Sequence, residues 1–321
     1  MQFAAPDART RLFQVGLGCV ALFVGLLAGI DPKLALVASF GLVFVLVLAN
    51  DLAAGLAVFA LVSFLDVLPF GGASVSFAKA VGLLLALAWM ATLATRADVE
   101  NDFASARPFV TYLLIVFLAW VALSSVWAED PGNAFESVYR YALNLMLFPI
   151  VFTAVRSGRH AAWVLAAFMA GAVISAAYGV LSPPAPAPGS TGEVSRLSGA
   201  GVDPNELAAL LVAATVLAGA FAAAVRSSPA TRAASLGVMI FCVAGVMLSL
   251  SRGGMVALAV ALLAAVAVAG RWRVTAVALL VAVASGAYVY VTAFATPAAR
   301  ERITNPEGGT GREDIWANAV T

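Results

Sequence analysis

The composition of this 321-residue chain is that of a membrane protein, because 63% of the residues are hydrophobic and only 11% are charged. The formal net charge of +1 provides no broad field that would attract nucleic acid, so we expect no nucleic-acid partner. Apolar runs of about 18 residues or more predict membrane-spanning helices. The predicted fold class is therefore all-α, a polytopic transmembrane helical bundle, since backbone polar groups in lipid must bond within their own segment.

Eleven spans follow one another along the chain. Basic residues Arg9 and Arg11 precede the first apolar run, which continues to Ile30, and the further spans favour a membrane anchor over a cleaved signal peptide. We predict spans at residues 12–30, 34–49, 52–68, 80–95, 109–127, 141–155, 161–181, 206–225, 233–250, 254–269 and 274–292, of which the second and sixth are short. Residues 1–292 then form the transmembrane domain.

The positions of Lys and Arg predict that the N-terminus is cytoplasmic. With this orientation ten basic residues lie in inner segments, namely Arg9, Arg11, Arg96, Arg107, Arg156, Arg159, Arg226, Arg232, Arg271 and Arg273. Five lie in outer segments before residue 293, namely Lys33, Lys79, Arg140, Arg196 and Arg252. This excess on the inner side predicts a multi-pass protein with residues 293–321 outside.

Two outer segments are long. Ser182 to Asn205 begins with a run rich in proline and alanine, which favours an extended, non-helical chain. Residues 293–321 read as the start of an outer domain, and Glu313 to Val320 have a helical pattern without a stop signal. We therefore expect a truncated chain.

Arg140, Arg196 and Arg252 lie on the side where orientation rules disfavour positive charge. A charge near membrane depth costs about 3 kcal/mol at the bilayer centre and less near the interface, and a bound anion would offset that cost. Arginine suits phosphate because its planar fork donates two hydrogen bonds. These arginines therefore indicate an anion site.

The residues around Arg252 favour such a site. Gly253 and Gly254 would let a ligand or another backbone approach closely, and Ser249 and Ser251 would add hydroxyl donors. We count Ser251 and Gly253 as supporting residues.

Asp203-Pro204-Asn205-Glu206 predicts the start of a helix, with Asp203 as N-cap, Pro204 first and Glu206 third. The positive end of the helix dipole would then favour an anion near Arg196. Asn205 is counted as a supporting residue.

Structural alternatives stay open for each residue. Arg252 would otherwise extend to lipid headgroups or pair with Glu129, Asp130 or Glu193. Arg140, between two tyrosines, is counted as a supporting residue, although an interfacial anchor is the favoured interpretation. The remaining polar candidates read as structural, namely Asp66 pairing with Lys79, His160 in a solvated loop, and Cys19 and Cys242 as buried small side chains. No cluster of residues suggests a metal, and no motif suggests a cofactor.

Three stretches together resemble the superfamily of O-antigen ligases, O-antigen polymerases and O-linked oligosaccharyltransferases. They are Arg196-Leu-Ser-Gly with Asp203-Pro-Asn-Glu, Ser251-Arg252-Gly253-Gly254, and Gly311-Arg312-Glu313-Asp314-Ile315-Trp316. The resemblance covers most of the chain in topology but only about 25 residues in motif, and each motif alone is weak.

The resemblance implies an enzyme that moves a glycan from an undecaprenyl-pyrophosphate carrier to an acceptor hydroxyl at the periplasmic face of a bacterial inner membrane. Residues 293–321 would then begin a large periplasmic loop. The acceptor would be a glycan or lipid A-core, so the expected class is O-antigen ligase or surface-polysaccharide polymerase. By similarity, Arg196, Arg252 and Arg312 would hold the lipid pyrophosphate. No cofactor is implied.

One departure from the family pattern leaves other functions open. Members place a functional histidine in the large outer loop, before a final span, which implies 12 spans in the complete protein. The last histidine here is His160, so the catalytic residue is unassigned. Either the chain is a fragment, which we favour, or it lacks the usual catalytic group. A transporter or flippase would also suit many spans with few charges, and midplane charges or paired halves would favour it. A non-catalytic scaffold of polysaccharide assembly is the third hypothesis, and unaffected Arg252 and Arg196 variants would favour it.

Overall fold

A computed structural model describes residues 21–64, 77–95, 103–182, 196–199, 202–224 and 227–304 of the chain. Every regular element within these ranges is a helix, which confirms the predicted all-α class. The long helices are α1 (Ala21–Ile30, as far as described), α2 (Pro32–Asn50), α3 (Leu52–Val62), α4 (Phe77–Thr95), α6 (Pro108–Ser124), α7 (Pro131–Ala154), α8 (Gly158–Leu181), α9 (Pro204–Ala223), α10 (Pro229–Leu248), α11 (Arg252–Val268) and α12 (Arg273–Val289). The short helices are α5 (Phe103–Ala106) and α13 (Pro297–Thr304), with 3₁₀ turns at Ser125–Trp127 and Gly270–Trp272 and a π-helical turn at Tyr290–Phe294.

Each of the eleven predicted spans overlaps one of these apolar helices. Across the described ranges, seven helices are long and apolar enough to cross a membrane, and four others, α1, α2, α3 and α11, are apolar over shorter stretches. The chain is thus a multi-pass membrane protein, while the number of spans and their orientation stay predictions.

The sixth span begins ten residues earlier than its predicted start. Asp130 caps α7 by accepting a hydrogen bond from the Asn133 backbone N–H at 3.1 Å, and Pro131 is the first helical residue. These local signals start a helix of 24 residues, so the prediction that this span is short was wrong. Its length is about 36 Å at 1.5 Å per residue.

The chain divides into two compact units, and the first consists of residues 1–60 and 68–164. In this unit Asp51 accepts a hydrogen bond from the Ala53 backbone N–H at 2.8 Å and so begins α3 directly after α2. Gly55 of α3 lies so close to Leu48 of α2 that a Cβ at Gly55 would overlap the leucine side chain. The absence of a side chain at residue 55 therefore sets the close packing of α2 and α3.

The second unit, residues 61–67 and 165–321, contains the main hydrophobic core. Helix α9 contributes the most buried side chains to it, which fits a helix that is apolar on all sides. The core residues are Phe64, Met169, Ala172, Ala176, Leu197, Leu207, Leu211, Val212, Ala214, Ala218, Met239, Cys242, Val246, Leu258 and Leu262. This core holds together the ends of α8, α9, α10 and α11, where the arginines of interest lie.

Candidate functional site

A three-residue turn separates α10 from α11. Ser249 continues the α10 hydrogen bonding through its N–H, which donates to the Gly245 carbonyl at 2.9 Å. Leu250 then adopts a left-handed backbone conformation with φ of 51°. The Ser251 hydroxyl accepts a hydrogen bond from the Gly254 N–H at 3.2 Å and caps α11. The turn therefore fixes Arg252 as the first residue of α11.

The left-handed conformation at Leu250 is costly for a residue with a side chain. It raises the free energy by about 1–2 kcal/mol relative to the ordinary helical region. Leu250 is only 3% exposed, so its side chain gains dispersion contacts with the rest of this unit. Burial in this unit therefore offsets the backbone strain and keeps the turn in place.

Residues 196–199 lie against the C-terminal end of α10. The Leu197 N–H donates to the Leu248 carbonyl at 3.0 Å, and Arg196 Nε donates to the Ser249 carbonyl at 3.0 Å. Carbonyl groups at the end of a helix lack partners within the helix, and a cation there also interacts favourably with the helix dipole. Arg196 thus caps α10. Its acceptor residue, Ser249, precedes Arg252 by three positions.

Two glycines allow residues 196–199 to pack closely on α8. A Cβ at Gly179 would overlap the Ser198 carbonyl oxygen, and a Cβ at Gly199 would overlap the Ser175 hydroxyl oxygen. Ser175 is fully buried. Sequence reasoning missed these contacts, since a glycine in an apolar helix does not reveal its partner.

The predicted start of α9 is confirmed. Asp203 Oδ1 accepts a hydrogen bond from the Asn205 backbone N–H at 2.7 Å, and Pro204 is the first helical residue. The Asn205 side chain then accepts a hydrogen bond from Arg196 Nη2 at 2.9 Å. Arg196 therefore connects the start of α9 to the end of α10.

The starts of α9 and α11 lie side by side. A Cβ at Gly254 would be only 2.5 Å from the Ala208 Cβ, and both residues belong to the first two turns of their helices. Gly245, near the end of α10, packs in the same way against Leu211 of α9. Two helix N-termini, one helix C-terminus, Arg196 and Arg252 therefore lie at the same end of this unit.

The electrostatic environment differs between the two N-termini. Helix α9 carries Asp203 as its cap and Glu206 in its first turn, and both carboxylates oppose a bound anion. Helix α11 has no acidic residue in its first turn and begins with Arg252. A Cβ at Gly253 would meet nothing within 4 Å, so the backbone there is approachable. The start of α11 is therefore the better place for an anion.

Three of the residues predicted to favour an anion at Arg252 make contacts within the protein. The Ser249 hydroxyl donates to the Val246 carbonyl at 2.7 Å and is fully buried, so it is not a ligand donor. The Ser251 hydroxyl is 2% exposed and serves as the α11 cap. Gly254 packs against Ala208, so of the two predicted partners, a ligand or another backbone, it is the neighbouring helix α9 that approaches it closely.

The other predicted residues belong to other elements of the chain or fall outside the described ranges. Arg140 belongs to the first unit, within α7, where it forms an exposed ion pair with Glu136 at 2.9 Å. His160 is in the first turn of α8, so its assignment to a solvated loop was wrong. Cys242 is fully buried, as predicted. Arg312, Asp66, Cys19 and Glu193 fall outside the described ranges.

No group of three or more His, Cys, Asp or Glu residues in the part of the chain that the structure describes could hold a metal ion. The arrangement at the α10–α11 turn is instead one of guanidinium groups and backbone N–H groups. Groups of these two kinds can bind and stabilise negative charge.

The comparisons with known proteins concern the same region. No curated protein and no solved structure matches the chain. A family model described as O-Antigen ligase matches residues 237–321, which begin within α10 and include Arg252 and the whole of α11. Over these residues the chain is therefore similar to the O-antigen ligase family.

Proposed function

We propose that this membrane protein transfers a glycan from undecaprenyl pyrophosphate to an acceptor hydroxyl on the periplasmic side of a bacterial inner membrane. The matched family implies activity of the O-antigen ligase or polymerase type and a lipid-linked glycan substrate. The acceptor is another glycan or lipid A-core.

The observation that carries the proposal is that Arg196 and Arg252 are both located at the α10–α11 turn. Arg196 bonds the Ser249 carbonyl, and Arg252 begins the next helix three residues later. At the start of α11 the first N–H groups have no partners within the helix, and the dipole favours negative charge. A pyrophosphate bound there would meet Arg252, the approachable backbone at Gly253, and Arg196 beside them.

The reaction needs little covalent participation from the protein. The acceptor oxygen forms a bond to the anomeric carbon of the glycan, while the bond from that carbon to the pyrophosphate oxygen breaks. The departing pyrophosphate keeps the electron pair, and Arg252 and Arg196 stabilise the charge that develops on it. A general base takes the acceptor proton, and we assign it to no residue of the described ranges. Arg312 completes the proposed set of cations.

The experiment is a transfer assay on Arg252→Ala and Arg252→Lys, in membranes that contain equal amounts of each protein. Arg252→Ala removes the charge and should abolish transfer. Arg252→Lys keeps the charge but loses the planar fork, so we expect it to fail as well if contact is bidentate. Arg232→Ala is the matched control, because Arg232 is an exposed arginine in the first turn of α10, about 25 Å along that helix from the turn.

The outcomes separate the hypotheses. Loss of transfer in Arg252→Ala, with normal transfer in Arg232→Ala, supports an anion-binding role for Arg252. Normal transfer in Arg252→Ala refutes the proposal. Equal losses in both variants would show that any lost arginine is damaging, and the proposed site would then have no support.

A further inference from the structure

We infer that Asn205 is a positioning residue, whose side-chain oxygen holds the Arg196 guanidinium in the orientation that an anion at the start of α11 requires. This inference rests on the proposed function. It assigns to Asn205 a task that acts through Arg196 and requires no contact with substrate.

Two hydrogen bonds of Arg196 connect it to different helices. Nε donates to the Ser249 carbonyl after α10, at 3.0 Å, and Nη2 donates to the Asn205 Oδ1 atom on α9, at 2.9 Å. The guanidinium is planar, so two such bonds fix its plane and the direction of its other N–H groups.

Asn205 is itself held firmly. Its backbone N–H donates to Asp203 Oδ1 at 2.7 Å, and the preceding Pro204 has a fixed φ angle. The core residue Leu207 begins the buried face of α9 two positions later. The Asn205 carboxamide therefore starts from a rigid backbone and can define the position of a long, flexible arginine.

The choice of asparagine has an electrostatic consequence. Arginine offers only donors, so the carboxamide must present its oxygen to Arg196 and direct its NH₂ group away. A neutral acceptor orients the guanidinium without cancelling its charge. An aspartate at residue 205 would orient Arg196 equally well, but it would neutralise the charge that attracts an anion.

The test uses this difference between orientation and charge. The full-length protein in nanodiscs is titrated with undecaprenyl pyrophosphate and, separately, with undecaprenyl phosphate. The variants are Asn205→Ala, Asn205→Asp and Arg252→Ala. Asn133→Ala is the matched control, because Asn133 also follows an Asp-Pro helix start and also forms a side-chain hydrogen bond there, to Asp130 at 2.6 Å.

We expect Asn205→Ala to weaken pyrophosphate binding roughly tenfold, the size typical of a lost hydrogen bond to a charged group. Asn205→Asp should weaken it at least as much while the unfolding midpoint stays at or above that of the wild type. Both variants should reduce the preference for pyrophosphate over monophosphate lipid, which a purely structural role would not change. Asn133→Ala should bind like the wild type.

Different failures point to different errors. If Arg252→Ala loses binding while both Asn205 variants bind like the wild type, the inference about Asn205 is overturned and the proposed function stands. If Asn205→Asp has the stability and the pyrophosphate affinity of the wild type, the role of Asn205 is structural and the inference is also overturned. If Arg252→Ala binds as tightly as the wild type, the proposed function itself fails.

Discussion

The contact between α9 and α11 can be tested by adding one methyl group. In Gly254→Ala the new Cβ would lie 2.5 Å from the Ala208 Cβ, whereas carbon atoms in contact prefer about 3.5–4.0 Å. Both carbons are attached directly to helix backbone, so no side-chain rotation relieves the overlap. The helices must therefore separate by about 1 Å, and overpacking of this kind costs about 1–3 kcal/mol.

The neighbouring Gly253→Ala is the matched control, because its Cβ would meet nothing within 4 Å. Both variants gain a similar amount of helix propensity, so the difference between them isolates the contact with Ala208. Chemical unfolding of the purified proteins in detergent should show Gly254→Ala less stable than Gly253→Ala by about 1–3 kcal/mol. Equal stabilities would refute the close approach of α9 and α11. We also expect Gly254→Ala to reduce transfer, since it displaces Arg252.

Three further predictions follow from contacts described above. Gly179→Ala would force the Ser198 carbonyl away from α8, so it should lower the unfolding midpoint and weaken pyrophosphate-lipid binding. The control Gly158→Ala, whose Cβ meets nothing within 4 Å, should change neither quantity. Equal behaviour of the two variants would contradict the packing of residues 196–199 on α8. Ser251→Ala removes the α11 cap and should lower the free energy of unfolding by about 1 kcal/mol, whereas an unchanged value would show that the cap is not needed. Arg140→Gln breaks an exposed ion pair and should change stability by less than about 1 kcal/mol, with normal transfer; a loss of transfer at normal protein level would place Arg140 in the site.

The parts of the fold that the sequence predicted depend on local signals. Apolar runs predicted the helices, because a helix that spans a membrane must be hydrophobic along its whole length. Asp203 and Pro204 identified the start of α9, since capping involves only residues within one turn. Asp130 and Pro131 start α7 by the same signal, so the sixth span is longer than the apolar run alone predicts.

The parts that could not be predicted depend on contacts between distant residues. Arg196 and its acceptor at Ser249 are 53 positions apart, and no local pattern connects them. Ser249 and Ser251 resemble ligand donors in the sequence, yet the turn uses both hydroxyls internally. Leu250 has a conformation that its residue type disfavours, so only tertiary packing explains it.

The Arg196–Ser249 hydrogen bond also orders events during biosynthesis. Arg196 leaves the ribosome before its acceptor, and at 5–20 residues per second the delay over 53 residues is about 3–10 s. Residues 196–199 can therefore dock on α10 only after that helix has been made, and the cationic end of the unit forms late. A nascent chain that stalls before Ser249 contains Arg196 and all of α9 but cannot complete this end.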